Sequence, residues 1–176
     1  TELKADLARY LAEYAPGAPV KSLADVIAFN ERHKNAELKL FGQELFVQAQ
    51  AKGGLDGKEY LDALEKCRRV TRDEGLDRVL KEHRLDALVA PSTAPAWLTD
   101  FIRGDHYGQD FTSLAAVAGY PHVTVPAGFV YGLPVGISFV GAAWSEPGLI
   151  RLAYAYEQAS RKRRPPAFPG SVNLSA

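Results

Sequence analysis

The sequence predicts an α/β fold in which a run of helices is followed by part of a mixed β-sheet flanked by helices. Three observations predict it. Apolar residues recur at helical spacing through the first half of the chain. A continuous apolar run from Leu85 to Ala90, broken only by Asp86, has the character of a strand buried on both faces. The stretch from Gly104 to Gly141 then sets a polar loop, a helix of small residues and two short strands in close succession, with proline or glycine at each joint.

From the amino terminus, Leu3, Leu7, Tyr10, Leu11 and Tyr14 form a helical stripe over residues 2–14, closed by Pro16 to Pro19. Ser22 with Asp25 makes a weak capping box that opens a second helix up to about His33, with Leu23, Val26, Ile27 and Asn30 on one face. A third short helix reaches Gln50 with Leu45, Phe46 and Ala49 inward. Lys52 to Gly57 is a turn, and no Lys-Ser or Lys-Thr follows its glycines, which excludes a phosphate-binding loop. A long helix runs from Lys58 to about Arg72, is loosened at Gly75 and continues from Leu76 to His83. Strands are expected at Leu85 to Ala90, at His122 to Val125, where Pro126 stops the ladder, and at Val135 to Val140. Ala115, Ala116, Ala118 and Gly119 form a helix with so little bulk that its backbone can lie close to a neighbour, and Gly119-Tyr120-Pro121 ends it. The last helix extends from about Glu146 to Ser160, with Pro147 in its first turn and Arg161 to Arg164 at its carboxyl end. Residues 165–176 read as an extended tail.

A length of 176 residues suits one domain rather than two, mainly helical over 1–83 and carrying the sheet with its flanking helices over 85–160. Apolar residues at 47% and charged residues at 24% are the composition of an ordinary soluble globular protein. The 21 basic and 21 acidic side chains cancel, so neither nucleic acid nor an anionic membrane is an expected partner. The short basic run at 161–164 has no interleaved aromatics. There is no apolar run long enough to span a bilayer, and the amino terminus lacks a signal peptide's apolar centre. The single Cys67 excludes an internal disulfide and sits in a helical pattern as a structural thiol, so a cytoplasmic location is the expectation. Histidines at 33, 83, 106 and 122 lack metal-ligand spacing, and no metal or cofactor is expected. A chain without methionine that starts at Thr1 is expected to be a piece of a longer polypeptide.

The order of motifs is specific. Ala-Gly-x-Pro at 118–121, a strand, Pro-x-Gly-Phe at 126–129, Gly-Leu-Pro-Val-Gly at 132–136, a strand ending at Gly141 and a helix with Glu157 follow one another. This succession resembles the carboxy-terminal portion of the amidase signature family. Leu85 to Pro91 is similar to the strand that precedes it there, and Leu149 to Glu157 to the family's last long helix, so the likeness spans roughly Leu76 to Pro166. The resemblance implies an α/β/α fold and an amidohydrolase, without a cofactor, that cleaves a carboxamide C–N bond with a serine nucleophile, a second serine on a cis peptide and a lysine. A serine attacks an amide only where a base removes its proton and paired N–H groups stabilise the oxyanion. In the family those groups lie upstream, the serines in or beside a glycine-and-serine-rich stretch, and here the only Gly-Ser is Gly170-Ser171 in the tail. No catalytic residue is therefore expected in this chain. It would supply scaffold and a pocket wall and be inactive alone, its partners being the missing amino-terminal half and, through the intact enzyme, an amide-containing small molecule or peptide. A sheet cut at this point would leave an unpaired edge and favour a homo-oligomer.

Two loops hold the candidate substrate-binding residues. Ser92 and Thr93 leave the carboxyl end of the first strand, where ligands gather in open α/β sheets. Gln109, Asp110, Thr112 and Ser113 belong to a polar loop, with Asp105, His106 and Tyr107, that opens onto the amino terminus of the small-residue helix. For Asp110, Thr112 and Ser113, substrate contact and helix capping both stand open. In the transfer-RNA amidotransferase branch of the family an acid three positions before a threonine contacts the substrate's amino group. Here Gln109 stands three before Thr112 and the acid is displaced to Asp110, which favours a general or peptide-type amidase over the A-type subunit of a glutamyl-tRNA amidotransferase. A non-catalytic binding or assembly module on the same fold is the reading from another class. Ser113, His106 and Asp105 do not make a self-contained triad, because neighbouring side chains rarely face each other and no Gly-x-Ser-x-Gly elbow is present.

Overall fold

Residues 1–108, 110–166 and 168 are described by the computed structural model, and the chain divides into two units, Thr1–Glu65 and Lys66–Ala176. Gln109 and most of the expected tail, residues 167 and 169–176, lie outside the described residues.

In the first unit α1 (Glu2–Tyr14), α2 (Leu23–Arg32), α3 (Lys34–Glu37) and α4 (Glu44–Ala51) follow one another, and α5 (Lys58–Thr71) begins. The expected cap of α2 is formed: the Asp25 N–H donates to Ser22 Oγ at 3.2 Å, and the Asp25 carboxylate accepts from the Lys21 N–H at 2.9 Å. Leu11 and Leu23 are the buried apolar residues of this unit among those described. Two expectations need correction. Of the α1 stripe, Leu3, Tyr10 and Tyr14 are exposed, and the two tyrosines stack on each other at 5.4 Å instead of on a second element. Leu45 is 76% exposed, because the start of α4 is seated by polar bonds instead: Gln43 donates to the Ile27 carbonyl at 3.2 Å and accepts from Asn30 at 3.1 Å.

In the second unit a π-helical turn, Arg72–Leu76, joins α5 to α6 (Asp77–His83). It places the expected loosening at Gly75, where a Cβ would lie 2.6 Å from the Val70 carbonyl oxygen. Among the described residues the strands are β1 (Leu88–Pro91), β2 (His122–Val130) and β3 (Leu133–Val140), accompanied by α7 (Thr112–Ala118) and α8 (Glu146–Ser160). Strand β1 starts later than Leu85 because the Leu85 N–H is taken by the Leu80 carbonyl at 2.8 Å, where the chain turns off α6 through left-handed Arg84.

The sheet order is β1-β3-β2. The expected α/β class holds, but where the sequence predicts part of a mixed sheet, both pairings among the described residues are antiparallel. Strand β2 does not stop at Pro126. It continues to Val130 with a register shift between Pro126 and Gly128, because β2 is an edge strand and a bulge tolerates the missing N–H. Tyr131 and Gly132 close the β2–β3 hairpin, both with positive φ, the geometry that matches the twist of a two-residue turn. Pro134 is accommodated in the central strand because β1 reaches β3 only from Ile137 to Val140.

Alternation along β3 sends its side chains to two cores. Val140 packs with Leu76, Ala115 and Ala118 on one face, where the small residues of α7 permit close approach. Phe139 packs with Leu149 and Ala153 of α8 on the other, and Val123, Val125 and Ile137 join it. Helix α7 ends as expected at left-handed Gly119, and Arg72 Nε donates to the Ala118 carbonyl at 2.6 Å. Leu149→Ala is expected to destabilise this unit by about 2–5 kcal/mol in urea denaturation, the range for emptying a packed leucine site. Leu45→Ala, at an exposed position, is expected to change stability by less than about 0.5 kcal/mol.

Candidate functional site

The two candidate loops are brought together by backbone. The Phe111 N–H donates to the Ser92 carbonyl at 3.0 Å, and Thr93 forms an isolated antiparallel bridge with Asp110. A cleft of ≈ 540 Å³ lies beside this junction. Pro91 lines it from the end of β1, Thr93, Ala94 and Pro95 from the loop that follows, Asp110 and Phe111 from the other loop, and Ala127, Val130, Val135 and Ile137 from the hairpin. Of the candidates among the described residues, Thr93 and Asp110 line the cleft, and Ser92, Thr112 and Ser113 are directed into other bonds.

Asp110 gathers those bonds. One carboxylate oxygen accepts from the Thr112 N–H at 2.6 Å, from the Ser113 N–H at 3.1 Å and from the Thr112 hydroxyl. The other accepts from Tyr107 at 2.8 Å and from the Ser113 hydroxyl at 3.1 Å. Asp110 therefore caps α7, satisfying N–H groups that the first turn leaves unpaired. The donors, the Thr112 hydroxyl first and then Tyr107, hold its carboxyl well below the usual carboxylate range. The same bond pushes the Tyr107 phenol up. Tyr107 also meets Trp97 edge to face at 5.7 Å, and Trp97 Nε1 donates to Asp105 at 3.1 Å. Asp105 and Ser113 are thus engaged with Trp97 and Asp110, away from any triad with His106.

Ser92 enters a polar cluster that the sequence does not reveal. Ser138 Oγ donates to Ser92 Oγ at 2.7 Å, Ser92 donates to Thr124 at a longer 3.4 Å, and Thr124 lies 3.1 Å from Ser138. His122 Nε2 sits 2.6 Å from Ser138 Oγ. His122 Nε2 also lies 3.3 Å from Thr124 Oγ1, and the ring tautomer sets which partner donates. His122 stands half-buried at the start of β2. The cluster needs Gly136, where a Cβ would stand 2.8 Å from both Ser92 Oγ and Thr124 Cγ2. Strand register is the signal that would have found it: Thr124 pairs with Ser138, and His122 stands two residues along the same face.

Among the described residues no group of three or more His, Cys, Asp or Glu is placed to hold a metal, and no helix is long and apolar enough to cross a membrane.

A model of the Amidase family matches residues 2–150. This chain belongs to the Amidase family. The probable amidase At4g34880 of Arabidopsis thaliana is 41% identical over 169 residues, covering 95% of this chain and 29% of the plant protein. The native peptide amidase of Stenotrophomonas maltophilia, solved by X-ray diffraction, superposes with a TM-score of 0.83 at 55% identity, covering 94% of this amidase-family chain and 33% of its own. The A-type subunit of the glutamyl-tRNA(Gln) amidotransferase of Desulforudis audaxviator is 40% identical over 123 residues, covering 63% of this chain and 23% of the Desulforudis protein. The amidase-family chain thus spans about a third or less of the length of these relatives.

Two outcomes test the site's internal bonding. Because its folded pKa is depressed, Asp110 contributes stability that is fully present above the ordinary aspartate value of about 3.9 and is lost as pH falls toward the lower folded value. Thermal melts between pH 5 and pH 2 are expected to fall more steeply for the native chain than for Asp110→Asn; parallel curves would refute the assignment. Ser138→Ala, which removes a central hydroxyl from a buried cluster, is expected to cost about 1–3 kcal/mol by denaturant titration.

Proposed function

We propose that this chain supplies the scaffold and one substrate-facing wall of an amidase that adds water across a carboxamide C–N bond, giving a carboxylate and ammonia or an amine. The carrying observation is the cleft of ≈ 540 Å³ built on the family-matched segment, with Thr93 and Asp110 at its polar border. The hydroxyls of Ser92, Thr112 and Ser113 belong to capping and sheet-bridging bonds, so the chain is read as inactive alone. The nucleophilic serine, cis-serine and lysine implied by the resemblance belong, in this reading, to polypeptide corresponding to the remaining length of the relatives. A single cysteine supports a cytoplasmic location, and the edge positions of β1 and β2 in the described sheet support self-association.

A peptide-type carboxamide is favoured over the glutamine used by a transfer-RNA amidotransferase. The acid sits at Asp110 instead of at position 109, and its oxygens are occupied by the start of α7. The likeness to a peptide amidase at 55% identity supports the same choice. N-acetyl-phenylalaninamide is expected to perturb the amide resonances of Thr93 and Phe111 without release of ammonia. Ammonia production by the 176-residue chain at an enzymatic rate would overturn the inactive-alone reading, and absence of any perturbation would overturn the pocket wall.

A further inference from the structure

We propose that the cleft admits an uncharged, apolar side chain or acyl group of the carboxamide and rejects an anionic one, with Asp110 as the specificity-determining residue. The inference rests on reading the cleft as a substrate wall.

Size and lining come first. A volume of ≈ 540 Å³ lies within the range of about 300–1,000 Å³ that small-molecule sites occupy. Apart from Thr93 and Asp110, its lining is alanine, proline, valine, isoleucine, phenylalanine and glycine. No lysine or arginine is among the described lining residues, so a carboxylate entering the cleft would give up water without meeting a cation there.

Charge decides the sign. Tyr107, Thr112 and Ser113 are neutral donors, so they hold Asp110 ionised without cancelling its charge. Five donations exceed the roughly four acceptor sites of a carboxylate, so Asp110 has little capacity left for a direct ligand bond. It acts on a ligand through its field. An apolar group is indifferent to that field, and an anion is repelled. The dipole of α7, a helix of 7 residues, offsets the charge in part. For a ligand carboxylate roughly 6 Å away, in surroundings between bulk water and protein surface, repulsion amounts to about a tenfold loss of affinity. Salt weakens it, because the cleft is open to solvent.

The test compares N-acetyl-leucinamide with the α-amide of N-acetyl-glutamate, titrated into the chain and followed through the Phe111 and Val135 resonances. The leucinamide is expected to bind about tenfold more tightly at low ionic strength. The ratio is expected to shrink in Asp110→Asn, where asparagine keeps a capping oxygen, and in the native chain at about 1 M salt, where the screening length is about 3 Å, leaving only the part due to desolvation of the carboxylate. Equal binding of the two amides, or a ratio unmoved by both the substitution and the salt, overturns this inference and leaves the pocket wall standing. Binding of neither amide overturns the wall and the inference together. The salt arm keeps the question decidable should Asp110→Asn fail to fold.

Discussion

The second unit depends on burying β3 on both faces. Val140 belongs to the core under α7 and Phe139 to the core under α8, so neighbouring residues of one strand hold the two helices. A slip of one residue would exchange the faces, driving Phe139 toward the space that Ala115 and Ala118 leave for Val140. The same alternation puts Ser138 on the face of Val140, where burying a hydroxyl is tolerable only because Ser92 and His122 bond to it. Gly136, two residues earlier, leaves room for Ser92 to reach across.

The cleft inherits its geometry from these constraints. Ser92 is tied to the sheet by its hydroxyl and to the second loop by its carbonyl, so the segment that enters the cleft at Thr93 is fixed from two directions. Asp110 starts α7 and also borders the cleft. In the proposed reading, local folding and ligand discrimination share this carboxylate, and a change there would touch both. Sites whose positioning groups also serve as caps are well ordered, because the helix holds the group in place.

Much of the fold was legible in the sequence because single-element signals were strong. The stripe of α1 and the proline in the first turn of α8 placed those helices, and the run from Val135 to Val140 placed most of β3. Gly119 marked the end of α7 because a left-handed residue was required there. Features that depend on neighbours were not legible. Pro126 reads as a stop until β2 is known to be an edge strand, and Leu45 reads as core until Gln43 is seen to seat α4 through polar bonds. Of the candidate residues, Thr93 and Asp110, named from their loops, line the cleft. The contribution of Val130 and Val135, and the bonds among Ser92, Ser138 and His122, needed the strand register.

The turn at Tyr131 and Gly132 has a consequence for how the sheet is assembled. Strands β2 and β3 meet across two residues, whereas Ser92 and Ser138 are separated by 46 positions, and the chain entropy lost on closure grows with that separation. The hairpin is the inexpensive contact and the docking of β1 the costly one. The segment that carries Thr93 is thus attached by the least local pairing of the sheet, and a fluctuation that releases β1 would dismantle the cleft while the hairpin stays closed.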